Sequence, residues 1–105
     1  MSLKIKREFH EEKRTWRMEL IGEIDIYTAS DLKSTFHEMF ENKKEPVEID
    51  LQNLEYIDST GLGVLIGALK RLREEDKQIT LYHVRPNIQK LLNITGLNQI
   101  FVVKE

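Results

Sequence analysis

The stretch Tyr56-Ile57-Asp58-Ser59-Thr60-Gly61-Leu62-Gly63 marks a change in the periodicity of the chain. Upstream, Val47-Glu48-Ile49-Asp50-Leu51 alternates apolar and acidic residues, and Leu54, Tyr56 and Ile57 carry the apolar run to Asp58. That alternation predicts a half-buried strand leading into the stretch. Downstream, Leu62, Leu65, Ile66, Leu69 and Leu72 fall at i, i+3, i+4, i+7 and i+10, which predicts a helix with one apolar stripe, ending near Glu74. The hydroxyls of Ser59 and Thr60 therefore sit where a strand ends and a helix begins.

Asp58 or Ser59 is the expected N-cap, with the amides of Thr60, Gly61 and Leu62 as the unpaired donors of the first turn. On local spacing alone Ser59 reads first as an ordinary cap. The same position would also tolerate a phosphoryl group, which brings about −1.5 to −2 charges at pH 7, because free amides and the helix dipole favour an anion there.

Working outward, Leu3, Ile5, Arg7 and Phe9 alternate, Glu11 to Arg14 form a charged turn, and Trp16, Met18 and Leu20 alternate again, so the chain opens with a β-hairpin. After Gly22, Thr28 stands three residues before Asp31, like a capping box with Asp in place of Glu, and a helix is expected from Ala29. It places Leu32, Phe36, Met39 and Phe40 on one face and fades before Pro46. Gln78 to Val84 reads as a strand with Ile79, Leu81 and His83 on one face. Pro86 opens a short helix carrying Ile88, Leu91 and Leu92, Gly96 closes it, and Ile100 to Val103 is the last strand. The order ββαβαβαβ predicts an α/β fold: a mixed sheet with an antiparallel opening hairpin, right-handed crossovers from residue 47 onward, and helices packed on it. With 105 residues and no linker, repeat or low-complexity tract, residues 1–105 are expected to form one domain.

Composition excludes several classes of function. Sixteen basic against eighteen acidic residues give a net charge of −2, and the only basic cluster is Lys70, Arg71 and Arg73, so no nucleic-acid partner is expected. There is no cysteine, hence no disulfide, thiolate nucleophile or Cys-based metal site. Neither a secretory h-region nor an apolar run of about 18 residues occurs, so the expectation is a cytoplasmic protein without a membrane anchor.

The chemistry-bearing residues narrow the field further. His10, His37 and His83 lack ligand spacing, so no metal and no cofactor is expected. Gly61, Gly63 and Gly67 match neither GxxxxGK[ST] nor the dinucleotide-binding spacing. Ser59 is not in a GxSxG elbow and no histidine lies near it in sequence, so the chain is read as no enzyme. Asn93-Ile94-Thr95 fits a glycosylation sequon but falls in the third helix, without a secretory signal. Gly63 and Gly67, one helical turn apart, would let another backbone approach, at a cost of about 1 kcal/mol each in a helix interior. Val64, Ala68 and Arg71 lie beside them, outside the main stripe, as a partly apolar face near Ser59.

With the strand, turn and helix in place, the chain resembles the anti-sigma factor antagonists of the STAS-domain family over nearly its full length. Three ordered blocks carry the resemblance: Gly22-Glu23-Ile24-Asp25, Asp58 to Gly63, and Leu91-Leu92-Asn93-Ile94-Thr95-Gly96-Leu97. It implies a bacterial phosphoprotein in stress-response or sporulation transcription. Unphosphorylated, such a protein binds a serine-kinase anti-sigma factor and frees the sigma factor; phosphorylated on the serine after the aspartate, here Ser59, it does not. Thr60 is a second candidate acceptor. A phosphatase would reset Ser59, and Asp25 and Asp58 would flank it from adjoining strand ends, Asp25 serving equally well as a turn cap. The kinase would dock on the face of Gly61, Gly63, Val64, Gly67 and Arg71, where Gly67→Trp should weaken binding. The resemblance leaves open a monomer or a dimer, and a C-terminal helix common in relatives is expected to be short or missing after Glu105. The alternative is a STAS-like scaffold or sensor module in a larger signalling or transport assembly, not controlled by phosphorylation.

Overall fold

In the computed structural model, which describes residues 2–105, the chain opens with β1 (Leu3–His10) and β2 (Thr15–Ile24), paired antiparallel from Leu3↔Gly22 to His10↔Thr15. The charged turn closes with Arg14 N donating to Glu11 O at 3.3 Å and Arg14 at φ 47°. Phe9 meets Trp16 edge to face at 5.2 Å, and Trp16 Nε1 donates to Lys43 O at 2.8 Å, so the buried indole satisfies its polar atom.

β2 is longer than its alternation suggests, because it runs through Gly22 to Ile24. The register of its pairing with a later strand shifts between Gly22 and Glu23. Gly22 sits at φ 110°, and a Cβ there would lie 2.3 Å from Ser2 O, so only glycine fits. The single strand expected to lead into Asp58 is in fact two, β3 (Val47–Asp50) and β4 (Leu54–Ile57). Between them Asp50 Oδ1 accepts from Gln52 N at 2.9 Å and Leu54 N donates to Leu51 O at 3.1 Å, a polar turn that ends β3. β3 pairs parallel with the start of β2 and β4 with its end, so the order becomes ββαββαβαβ.

The sheet runs β1-β2-β3-β5-β6, with β4 also on β2; β5 is Ile79–Tyr82 and β6 is Val102–Lys104. Both later strands are shorter than expected. His83 adopts φ 56° and leaves β5, while Leu97–Gln99 form a 3-10 turn that delays β6 past Ile100. Register aligns Trp16, Val47 and Ile79, then Met18, Ile49 and Leu81, as buried rows on one face. The alternate rows Arg17, Glu48, Thr80 and Glu19, Asp50, Tyr82 make the other face, where Arg17–Glu48 (3.7 Å) and Lys6–Glu19 (3.9 Å) pair across strands.

The helices α1 (Ala29–Asn42), α2 (Ser59–Arg73) and α3 (Pro86–Thr95) supply the rest of the core. α1 buries Ala29, Leu32, Phe36, Met39 and Phe40 as its spacing predicts. α2 buries Leu62, Leu65, Leu69 and Leu72, and also Ala68, which lies outside the apolar stripe in the sequence: the α1 side of α2 is covered as well. α3 begins with Pro86 at its first turn and ends at Gly96 in the left-handed region, φ 76°. No helix among the described residues is long and apolar enough to cross a membrane.

Candidate functional site at the start of the second helix

Asp58 follows β4 with extended φ/ψ of −104° and −174°, the conformation of an N-cap, and its Oδ1 accepts from Gly61 N at 3.1 Å. Its own amide donates to Ile24 O at 3.1 Å, which ties the end of β4 to the end of β2, and its carbonyl accepts from Leu62 N at 2.9 Å. The cap is therefore Asp58, not Ser59. Gly61 and Leu62 amides are satisfied, contrary to expectation, and the first-turn amides left without an acceptor among the described residues are those of Ser59 and Thr60. Both residues are exposed at the positive end of α2, and neither hydroxyl bonds a carboxylate among the described residues.

Gly61 is buried under this turn. A Cβ there would come within 2.6 Å of Ile24 Cγ2 and 2.7 Å of Ile57 Cγ1, so its lack of a side chain lets the helix seat directly on the paired strand ends. Its role in the fold is packing, beside whatever it does for a partner.

Asp25 stands one residue past Ile24, as Asp58 does past Ile57, and Ile24 pairs with Ile57; the two acids thus share adjoining strand ends. Asp25 is only 3% exposed. Its Oδ1 accepts from Tyr27 N (2.9 Å) and from Thr28 N (3.1 Å) and Oγ1 (3.3 Å), a closed turn at the entrance to α1, while Oδ2 is buried without a hydrogen-bond partner among the described residues. Thr28 does not form the expected capping box with Asp31: its Oγ1 donates to Glu23 O at 3.0 Å and accepts from Asp25 N at 2.9 Å, so the hydroxyl is spent on the preceding turn. That turn pushes Ile26 and Tyr27 outward, 69% and 81% exposed, an apolar pair whose exposure no periodicity in the sequence signals.

The remaining candidate residues lie along α2. Gly63 and Gly67 are exposed, and a Cβ on either would meet nothing within 4 Å. Val64 is half-buried, and the Arg71 guanidinium lies 5.1 Å from the Phe40 ring centre, which packs it across to α1. Together with Lys33, Phe36 and His37 of α1, which periodicity could not bring to α2, these residues line an open groove of about 710 Å³ that reaches Thr60. Among the described residues, no three acidic or histidine side chains converge as a metal site would require.

The chemistry this permits is specific. The exposed hydroxyl stands beside two amides at a helix N-terminus that are free among the described residues, an arrangement that favours an anion, and among those residues no base is hydrogen-bonded to the hydroxyl.

A family model described as "Mlab, STAS domain" matches residues 8–104. The anti-sigma-B factor antagonist of Staphylococcus epidermidis is 34% identical over 105 residues, covering 100% of this chain and 95% of that protein. The anti-sigma factor antagonist SpoIIAA in its unphosphorylated form superposes with a TM-score of 0.76 at 16% identity, covering 99% of this chain and 88% of that one. The Bacillus cell-fate determinant SpoIIAA in its phosphorylated form gives 0.73 at 18% identity, covering 99% and 92%. A six-stranded mixed sheet capped by three helices and a family match spanning almost every residue agree, and the chain belongs to the STAS-domain family that includes the anti-sigma factor antagonists.

Proposed function

We infer that this chain is a phosphorylation-controlled anti-sigma factor antagonist: unphosphorylated, it binds a serine-kinase anti-sigma factor and so releases the sigma factor for transcription; phosphorylated on Ser59, it lets go. The observation that carries this reading is the exposed Ser59 hydroxyl at the first turn of α2, with its own amide and that of Thr60 free among the described residues and the cap supplied by Asp58. The likeness to proteins named as anti-sigma factor antagonists supports the partner class. In this reading the chain is the substrate and not the enzyme, needs no cofactor, and works in the cytoplasm with a phosphatase that resets Ser59. Thr60, the next exposed hydroxyl, is the second acceptor.

The phosphoryl group would sit where the fold already favours negative charge, so the switch acts at the partner surface through bulk and repulsion from partner acids, and the core stays as it is. Three baits test this in lysate of the native host: wild type, Ser59→Ala and Ser59→Glu. Recovery of a kinase-fold anti-sigma factor with the first two and not the third is the expected result. Recovery of one unrelated assembly with all three would replace the reading with that of a constitutive scaffold module.

A further inference from the structure

α1 and α2 follow β2 and β4, which are parallel neighbours, so the two helices start at the same end of the sheet and run side by side. The groove between them has an apolar floor, Phe36, Val64 and Ala68, and a wall without side chains at Gly63 and Gly67, where open space follows each Cα. Its charges are unbalanced. Lys33 and Arg71 line it without a carboxylate partner among the described residues, whereas Glu38, the acid at the same rim, is held by Arg7 at 2.8 Å. In a chain of net charge −2, this groove is locally positive.

We propose that the groove seats an acidic, amphipathic segment of the anti-sigma factor, apolar side chains against Phe36, Val64 and Ala68 and carboxylates toward Lys33 and Arg71. This rests on the function inferred above and adds the partner's chemistry to it. It also gives the switch a cause. Thr60 lines the groove and Ser59 is its neighbour, so a phosphoryl group of about −1.5 to −2 charges would stand at the groove's mouth and repel the acidic segment.

The test is a binding titration of the purified anti-sigma factor against wild type, Lys33→Glu and Gly67→Leu, each first shown to melt cooperatively. Lys33 has no ion-pair partner among the described residues and Gly67 faces open space, so both variants should fold. Each should weaken binding by about 10-fold or more, and a Glu→Lys or Asp→Lys change in the partner should restore affinity for Lys33→Glu. Unchanged affinity of both variants, with wild type bound, would overturn the groove proposal and leave the function standing. No binding by wild type would overturn both. If the variants abolish a self-association of the chain seen by sedimentation and leave the anti-sigma factor's affinity alone, the groove holds a second copy and the proposal falls.

Discussion

Asp58 does two jobs with one backbone: its side chain caps Gly61 N, and its amide fastens β4 to Ile24 O. Only the first is lost on truncation, so Asp58→Ala should destabilise the protein by about 1 kcal/mol, within the usual range of 0.5–2, and Asp58→Asn by much less, read from urea unfolding. The glycines of α2 separate more sharply. Gly61→Ala drives a methyl into Ile24 and Ile57 and should cost about 1–3 kcal/mol, while Gly63→Ala and Gly67→Ala, facing open space in a helix, should stabilise by up to about 1 kcal/mol. Equal effects at all three would mean that α2 does not sit on the strand ends as described. Spacing in the sequence sees three glycines in seven residues; it cannot tell the packed one from the open ones, because that depends on which strand ends lie beneath.

At the scale of elements, the loop before β3 is pinned by a carboxylate between two cations. Glu45 Oε1 lies 2.9 Å from Lys77 Nζ and its Oε2 lies 2.8 Å from Arg14 Nη2, which join the helix-to-strand connection, the residues before β5 and the hairpin turn. The hydrogen bond from Lys77, then that from Arg14, holds the Glu45 carboxyl below its ordinary value near 4.5. A lowered folded value means stability that is complete above the ordinary value and disappears as pH falls through the folded one. Glu45→Gln should therefore lower the melting temperature at pH 7 and have a smaller effect near pH 3; an equal loss at both pH values would contradict the charge argument. The elements themselves were readable wherever a periodic apolar face existed, as in α1, α2, α3 and the opening hairpin. The division of β3 from β4 was not, because Leu51 and Leu54 are both buried and keep the apolar run going across the turn. His83 continues the alternation of β5 in sequence, yet its backbone has turned to φ 56°. The failed capping box has the same origin: Thr28 has the residue type of a cap, and the buried Asp25 claims its hydroxyl.

For the molecule as a whole, one sheet face carries the helices and core, the other carries cross-strand charge pairs, and Ser59, Thr60, Ile26, Tyr27 and the mouth of the α1–α2 groove gather at one end, while a further exposed apolar side chain, Ile94, stands apart in the last turn of α3. The Ser59 junction was legible because it rests on one strand, one turn and one helix in sequence. The α1 half of the groove was not, because Lys33 and His37 reach it only through the pairing of β2 with β4. If phosphorylation acts at this surface and not through the core, amide exchange of the phosphorylated and plain forms should differ near residues 58–63 and agree in β2, β3 and β5; differences deep in those strands would point to an internal rearrangement. The most direct test of the phosphorylation switch is the affinity of the purified kinase-type anti-sigma factor for the plain chain and for the chain phosphorylated on Ser59, titrated side by side. Tight binding to the plain form and a loss of about 100-fold or more on phosphorylation are expected, nearly 3 kcal/mol at 1.4 kcal/mol per tenfold; equal affinities would rule out control through Ser59.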